Sequence, residues 1–170
     1  MNLDERQLFA HAAELGSDVS FFLNGPLAFC TGKGEKVQKV DKIYDFLALL
    51  ILPGVSVSTK RIYENYVHDS ALYSRLSAQL NFYIREKKID FVVKMCTNML
   101  QESCFDLCKS LAELRETVKS LDIGPCCLSG SGSAMFCIFE SIDEQKANQC
   151  KRKIEQRSGW KSIIVRNNNW

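Results

Sequence analysis

Two apolar runs meet at Ser129-Gly130-Ser131-Gly132-Ser133, five consecutive residues of only serine and glycine. Such a run has no apolar side chain to bury, so a strand or helix is not expected to continue through it. Residues 126–128 before it are expected to end a buried strand, and residues 134–139 after it to form a second strand. The chain must reverse between them in a loop that is almost bare backbone. Its glycines can take positive φ, and its N–H groups can approach an anion closely, as in many phosphate sites. The same composition also makes an ordinary flexible hairpin turn. The loop is not a P-loop, because no lysine follows its second glycine.

The remaining composition narrows the class. With 170 residues and a hydrophobic fraction of 46%, the chain can fill one ordinary domain, or one and a part. Its net charge of +2 comes from nearly balanced acids and bases, which argues against a nucleic-acid protein with its basic face. The short basic clusters Lys87-Lys88 and Lys151-Arg152-Lys153 lie in helical patterns among acids and read as solvated surface. Eight cysteines are many for this length, yet none forms a Cys-x-x-Cys pair. Cys104 and Cys108 lie four apart on an expected helix, and Cys126 and Cys127 are adjacent. His11 and His68 are remote from these in sequence, so zinc-site spacing is absent and no metal ligand is assigned. Nothing resembles a signal peptide or a membrane-spanning run, so reduced, mostly buried thiols in a cytoplasmic protein are expected.

In chain order, Asn2 and Glu5 are expected to cap a helix carrying Leu8, Phe9, Ala12, Ala13 and Leu15 on one stripe, closed by Gly16. Asp18 follows, ahead of Val19, Phe21, Phe22 and Leu23. A carboxylate beside apolar residues can be desolvated and held rigidly, which suits a general base, but an aspartate after a serine is also an ordinary cap or turn residue. Residues 28–30 read as a short strand and residues 32–35 as a turn. Residues 46–52 form an unbroken apolar run, expected to be a buried strand that Pro53-Gly54 ends. Ser58 or Thr59 is expected to cap a short helix with Ile62 and Tyr63. Helical spacing continues through Leu72, Leu76 and Leu80, then over residues 90–100, then through Cys104, Cys108, Leu111, Leu114, Val118 and Leu121 as core stripes. Gly124-Pro125 leads into the hairpin. Ser141 to Glu144 reads as a capping box for a last helix with Ala147, Cys150 and Ile154 inward and Gly159 at its end, before a short strand over residues 162–165.

The segments Leu15-Gly16-Ser17-Asp18-Val19, Gly32-Lys33-Gly34-Glu35, Pro53-Gly54-Val55-Ser56-Val57-Ser58-Thr59 and Leu128-Ser129-Gly130-Ser131-Gly132-Ser133 occur in that order. This ordered set resembles the GHMP small-molecule kinases over nearly the whole chain, and within them the branch that acts on a diphosphocytidyl-methylerythritol. The resemblance implies an α/β (α+β) fold: a GHMP kinase C-terminal domain with helices packed on a mostly antiparallel ferredoxin-like sheet over residues 40–170, and a remnant of the N-terminal kinase domain over residues 1–39. It implies ATP and Mg²⁺ as cofactors, a small-molecule alcohol as substrate, and Asp18 as the catalytic residue. It also implies that Gly130, Ser131, Gly132 and Ser133 line the phosphate and substrate region, and that Tyr63 packs against a cytosine ring. Ser20 stands where the family segment has proline. Asn98-Met99-Leu100-Gln101 stands where the family has a doubly acidic segment, so no chemistry is assigned there. The family's long glycine-rich ATP loop and its N-terminal lysine have no counterpart in the sequence, whose nine glycines are scattered. The chain is therefore expected to be the C-terminal part of such a kinase. A truncated gene, a misassigned start, a complementing N-terminal half, or a homodimer would fit that expectation. A non-catalytic binding or dimerisation module on the same fold, an unrelated ferredoxin-like ligand-binding domain, and a mevalonate or homoserine kinase stay open as alternatives.

Overall fold

The computed structural model describes residues 4–16, 18–23, 27–32, 34, 36–40 and 44–167. It divides into two compact units, Met1–Tyr44 with Asn167–Trp170, and Asp45–Arg166.

In the first unit α1 (Glu5–Leu15) opens at Asp4. The Asp4 carboxylate accepts from Gln7 N–H at 2.8 Å while Gln7 Oε1 accepts from Asp4 N–H at 3.1 Å, a reciprocal capping box. The expected cap, Asn2, lies outside the described residues, and Glu5 is not the residue that reaches back. Gly16 closes the helix, its N–H donating to Ala12 O at 3.2 Å. Of the expected apolar stripe only Ala12 is buried; Leu15 is 81% exposed. A 3₁₀ turn (Val19–Leu23) follows. Then β1 (Ala28–Thr31) pairs antiparallel with β2 (Lys36–Lys39), with Ala28 opposite Lys39. β2 was not anticipated, because Lys-Val-Gln-Lys carries a single apolar residue and makes a strand only through its partner. In the turn between them Gly34 N–H donates to Thr31 O at 3.2 Å; Lys33 and Glu35 lie outside the described residues.

The second unit begins with β3 (Phe46–Leu52), whose continuous apolar sequence suits a central strand between two neighbours. Gly54, at φ +70, turns the chain out of it. α2 (Thr59–Glu64) is capped by Ser58, and α3 (Ser70–Arg85) by Asp69, whose carboxylate accepts from Leu72 N–H at 2.8 Å. The helix expected over residues 90–100 is instead α4 (Ile89–Met95), which stops at Cys96 in the left-handed region at φ +42. After a loop come α5 (Gln101–Leu107) and α6 (Lys109–Ser120). The hairpin of β4 (Cys126–Leu128) and β5 (Met135–Glu140) leads to α7 (Glu144–Ser158) and β6 (Lys161–Arg166). The capping box expected at Ser141 to Glu144 does not form: Asp143 holds the cap position and makes no side-chain cap bond. Gly159, at φ +69, ends α7 as expected.

The strand order is β4-β5-β3-β6, and every pairing is antiparallel. β5 therefore separates β3 from β4, and β3 separates β5 from β6, which makes two interleaved β-α-β units: the ferredoxin-like arrangement expected. Alternation on the strands sends Leu47, Leu49 and Ile51 of β3 and Met135, Cys137 and Phe139 of β5 into one core. Leu111, Leu114 and Val118 of α6 and Ala147, Cys150 and Ile154 of α7 meet them there at helical spacing.

Candidate functional site

Leu128 lies opposite Met135 at the last rung of the β4–β5 ladder. One step further, Ser129 N–H donates to Ala134 O at 2.9 Å, and Gly132 N–H donates back to Ser129 O at 2.9 Å. These two bonds close the loop of residues 129–133 into a defined turn. Its two glycines have positive φ, +57 at Gly130 and +94 at Gly132, where L side chains are strained. Gly132 is also tight: a Cβ there would lie 3.0 Å from Leu128 Cδ1 and 3.1 Å from Cys104 Sγ, whereas one on Gly130 would meet nothing within 4 Å.

Three elements hold the loop. The Ser133 hydroxyl donates to Val55 O at 2.5 Å, tying it to the chain just after β3. Ser131 Oγ and Thr59 Oγ1 share a hydrogen bond of 2.8 Å, tying it to the first turn of α2. From beneath, Asn98 and Gln101, the segment to which no role was assigned, contact its base. Asn98 Nδ2 lies 2.8 Å from Leu128 O and 2.7 Å from Gly130 O, and Gln101 Oε1 accepts from Leu128 N–H at 3.2 Å. One signal was available for Asn98: Thr97 and Asn98 are weak helix formers inside a run read as helical. With these partners in place, the N–H groups of Gly130, Ser131 and Ser133 make no hydrogen bond to a described residue. Three backbone donors on a loop without bulk are chemically suited to an anion.

Tyr63 is one turn beyond Thr59 on α2, so the two share a helix face, and Tyr63 is 61% exposed. Ile62, its neighbour, is the residue that anchors α2 in the core. Burial raises the Cys104 thiol beneath the loop, with Cys108 adding to the effect, so it is a packing thiol rather than a nucleophile.

Asp18 belongs to the first unit. It sits in the turn between α1 and the 3₁₀ segment, where its carbonyl accepts from Phe21 N–H at 3.3 Å. Among the described residues Asp18 is exposed. Cys30 on β1 feels its charge: the thiol is raised first by burial and then by the Asp18 carboxylate. All eight cysteines are free thiols. Among the described residues no group of three or more His, Cys, Asp or Glu is placed to hold a metal ion, and no helix is long and apolar enough to cross a membrane.

Residues 84–159 match the family model for the GHMP kinases C-terminal domain. The chain is 27% identical over 157 residues to 4-diphosphocytidyl-2-C-methyl-D-erythritol kinase of Clostridium botulinum (strain Eklund 17B / Type B), covering 92% of this chain and 55% of that protein. It is 32% identical over 164 residues to the protein of the same name from Persephonella marina (strain DSM 14350 / EX-H1), covering 95% and 56%. A crystal structure of 4-(cytidine 5'-diphospho)-2C-methyl-D-erythritol kinase superposes with a TM-score of 0.68 at 24% identity, over 99% of this chain and 59% of that one, a likeness of fold. The chain thus spans about half the length of the curated relatives it matches.

Proposed function

We propose that this chain, whose residues 84–159 match the model for the GHMP kinases C-terminal domain, supplies the C-terminal part of an ATP-dependent kinase acting on the 2-hydroxyl of 4-diphosphocytidyl-2-C-methyl-D-erythritol. The observation that carries this reading is the shared name of relatives that align over more than nine-tenths of the chain. The loop of residues 129–133, with three unbonded backbone donors, supports it.

In this reading residues 1–39 are the end of the N-terminal kinase domain and residues 40–170 the C-terminal domain. The substrate's diphosphate faces Gly130, Ser131, Gly132 and Ser133, and its cytosine ring packs on Tyr63. Asp18 takes or orients the proton of the attacking hydroxyl. Phosphoryl transfer depends on positioning and charge neutralisation more than on covalent chemistry, so a loop that fixes the substrate is a direct contribution to rate. ATP would supply the transferred γ-phosphoryl group. The described residues do not fit ATP or Mg²⁺: they offer neither a glycine-rich turn at the start of a long helix nor a carboxylate cluster.

That same misfit favours a second reading, a binding module on this fold that takes the substrate without turning it over. One experiment addresses both. The purified chain is titrated calorimetrically with the diphosphocytidyl substrate, then assayed with ATP and Mg²⁺. Binding without turnover is expected. If an added N-terminal half restores turnover, Asp18→Asn should lower the rate ~10²–10⁴-fold; an unchanged rate would leave Asp18 as a turn residue. Absence of substrate binding in both the chain and the completed protein would sink the kinase reading.

A further inference from the structure

β4 is an edge strand: β5 is its one neighbour in the sheet. The bond from Ser129 N–H to Ala134 O sets the alternation of the ladder, so the N–H and C=O of Leu128 point away from β5 toward the open edge. Among the described residues no strand occupies that edge. Two side chains do so instead. Gln101 Oε1 accepts from Leu128 N–H, and Asn98 Nδ2 donates to Leu128 O. Asn98 then does more than stand in for a strand. Its second N–H reaches Gly130 O at 2.7 Å, while its own Oδ1 accepts from Leu100 N–H at 2.9 Å. Both donors of one amide are thus committed to the loop, and its acceptor anchors the amide to the start of α5.

In a trans peptide the C=O of one residue and the N–H of the next point in opposite directions. Drawing Gly130 O inward onto Asn98 therefore turns Ser131 N–H outward, and Ser131 N–H bonds to no described residue. We infer that Asn98 is a positioning residue, which aims the Ser131 N–H at an anionic phosphate oxygen of the bound ligand. The inference rests on the kinase reading for the identity of that ligand. Its geometric half, that Asn98 sets the loop, does not.

The full chain, labelled with ¹⁵N, is compared with Asn98→Asp and with Asp69→Ala. Asn98→Asp keeps the shape but replaces both donors with an acceptor facing two carbonyls. Asp69→Ala removes the α3 cap and serves as a control for general loss of stability. The readouts are the amide resonances of Gly130, Ser131 and Gly132, the melting temperature, and Kd for 4-diphosphocytidyl-2-C-methyl-D-erythritol. Asn98→Asp should shift the loop amides and weaken binding about tenfold, the order expected for losing a pair of neutral hydrogen bonds. Asp69→Ala should lower the melting temperature with the loop amides and Kd unchanged. Loop amides that do not move in Asn98→Asp overturn the inference, and so do moved amides with an unchanged Kd. If neither the wild-type chain nor the protein completed with an N-terminal half takes a diphosphocytidyl compound, moved loop amides still uphold the geometric role of Asn98, and the kinase reading is what falls.

Discussion

Gly130 and Gly132 are two residues apart in one loop and tolerate change differently. Both have positive φ, but only Gly132 has neighbours where a Cβ would go. Gly132→Val is expected to cost ~1–3 kcal/mol from backbone strain, with a further loss as Leu128 and Cys104 give way. Gly130→Ala, in open space, should cost only about 1 kcal/mol for its left-handed φ. Urea denaturation of the two variants measures the difference, and equal losses would contradict the tight packing under Gly132. A second residue-scale expectation concerns Cys127, which is 2% exposed. Burial first, then Cys96 and Cys126, push its thiol from 9.0 up to about 12. Below about pH 9 both folded and unfolded chains hold this proton. Between about pH 9 and 12 the unfolded chain releases it while the folded one keeps it, so stability falls as pH rises through that window. The urea midpoint should drop over this range, and less steeply in Cys127→Ala.

Single elements were legible in proportion to how much of their stability is local. β3, α6 and α7 announce themselves by unbroken or periodic apolar residues, and Leu114 illustrates the yield: Leu114→Ala should cost ~2–5 kcal/mol in chemical denaturation, because the site is fully enclosed between helix and sheet. What the pattern concealed was the break after α4. Cys96 adopts a left-handed conformation that no glycine marks, and apolar residues continue on both sides of it, so periodicity ran straight through. The role of Asn98 and Gln101 was hidden for the same reason: it depends on an edge that exists only once the sheet is assembled. β2 was invisible because its partner, not its composition, makes it a strand. The loop of residues 129–133, by contrast, was readable as a chain reversal from its glycines and serines, while its conformation depends on Val55, Thr59 and Asn98 as well.

At the scale of the molecule, each unit closes its own hydrogen-bonded sheet, and the helices of Asp45–Arg166 cover the face that carries its core. A chain cut to residues 45–166 is therefore expected to fold alone, with one cooperative transition and dispersed amide resonances. A collapsed state lacking fixed packing would show that it depends on the preceding residues. The order β4-β5-β3-β6 also sets a schedule for biosynthesis. β3 leaves the ribosome well before its partners Met135–Glu140 and Lys161–Arg166. Until then Phe46–Leu52 is an unpaired strand of seven consecutive apolar residues. Such long-range pairing, completed only after the helices, is expected to slow folding and to leave β3 sticky until β6 has emerged. A premature stop anywhere before Lys161 would leave one side of that strand permanently open, a state for chaperones and proteases rather than for ligands.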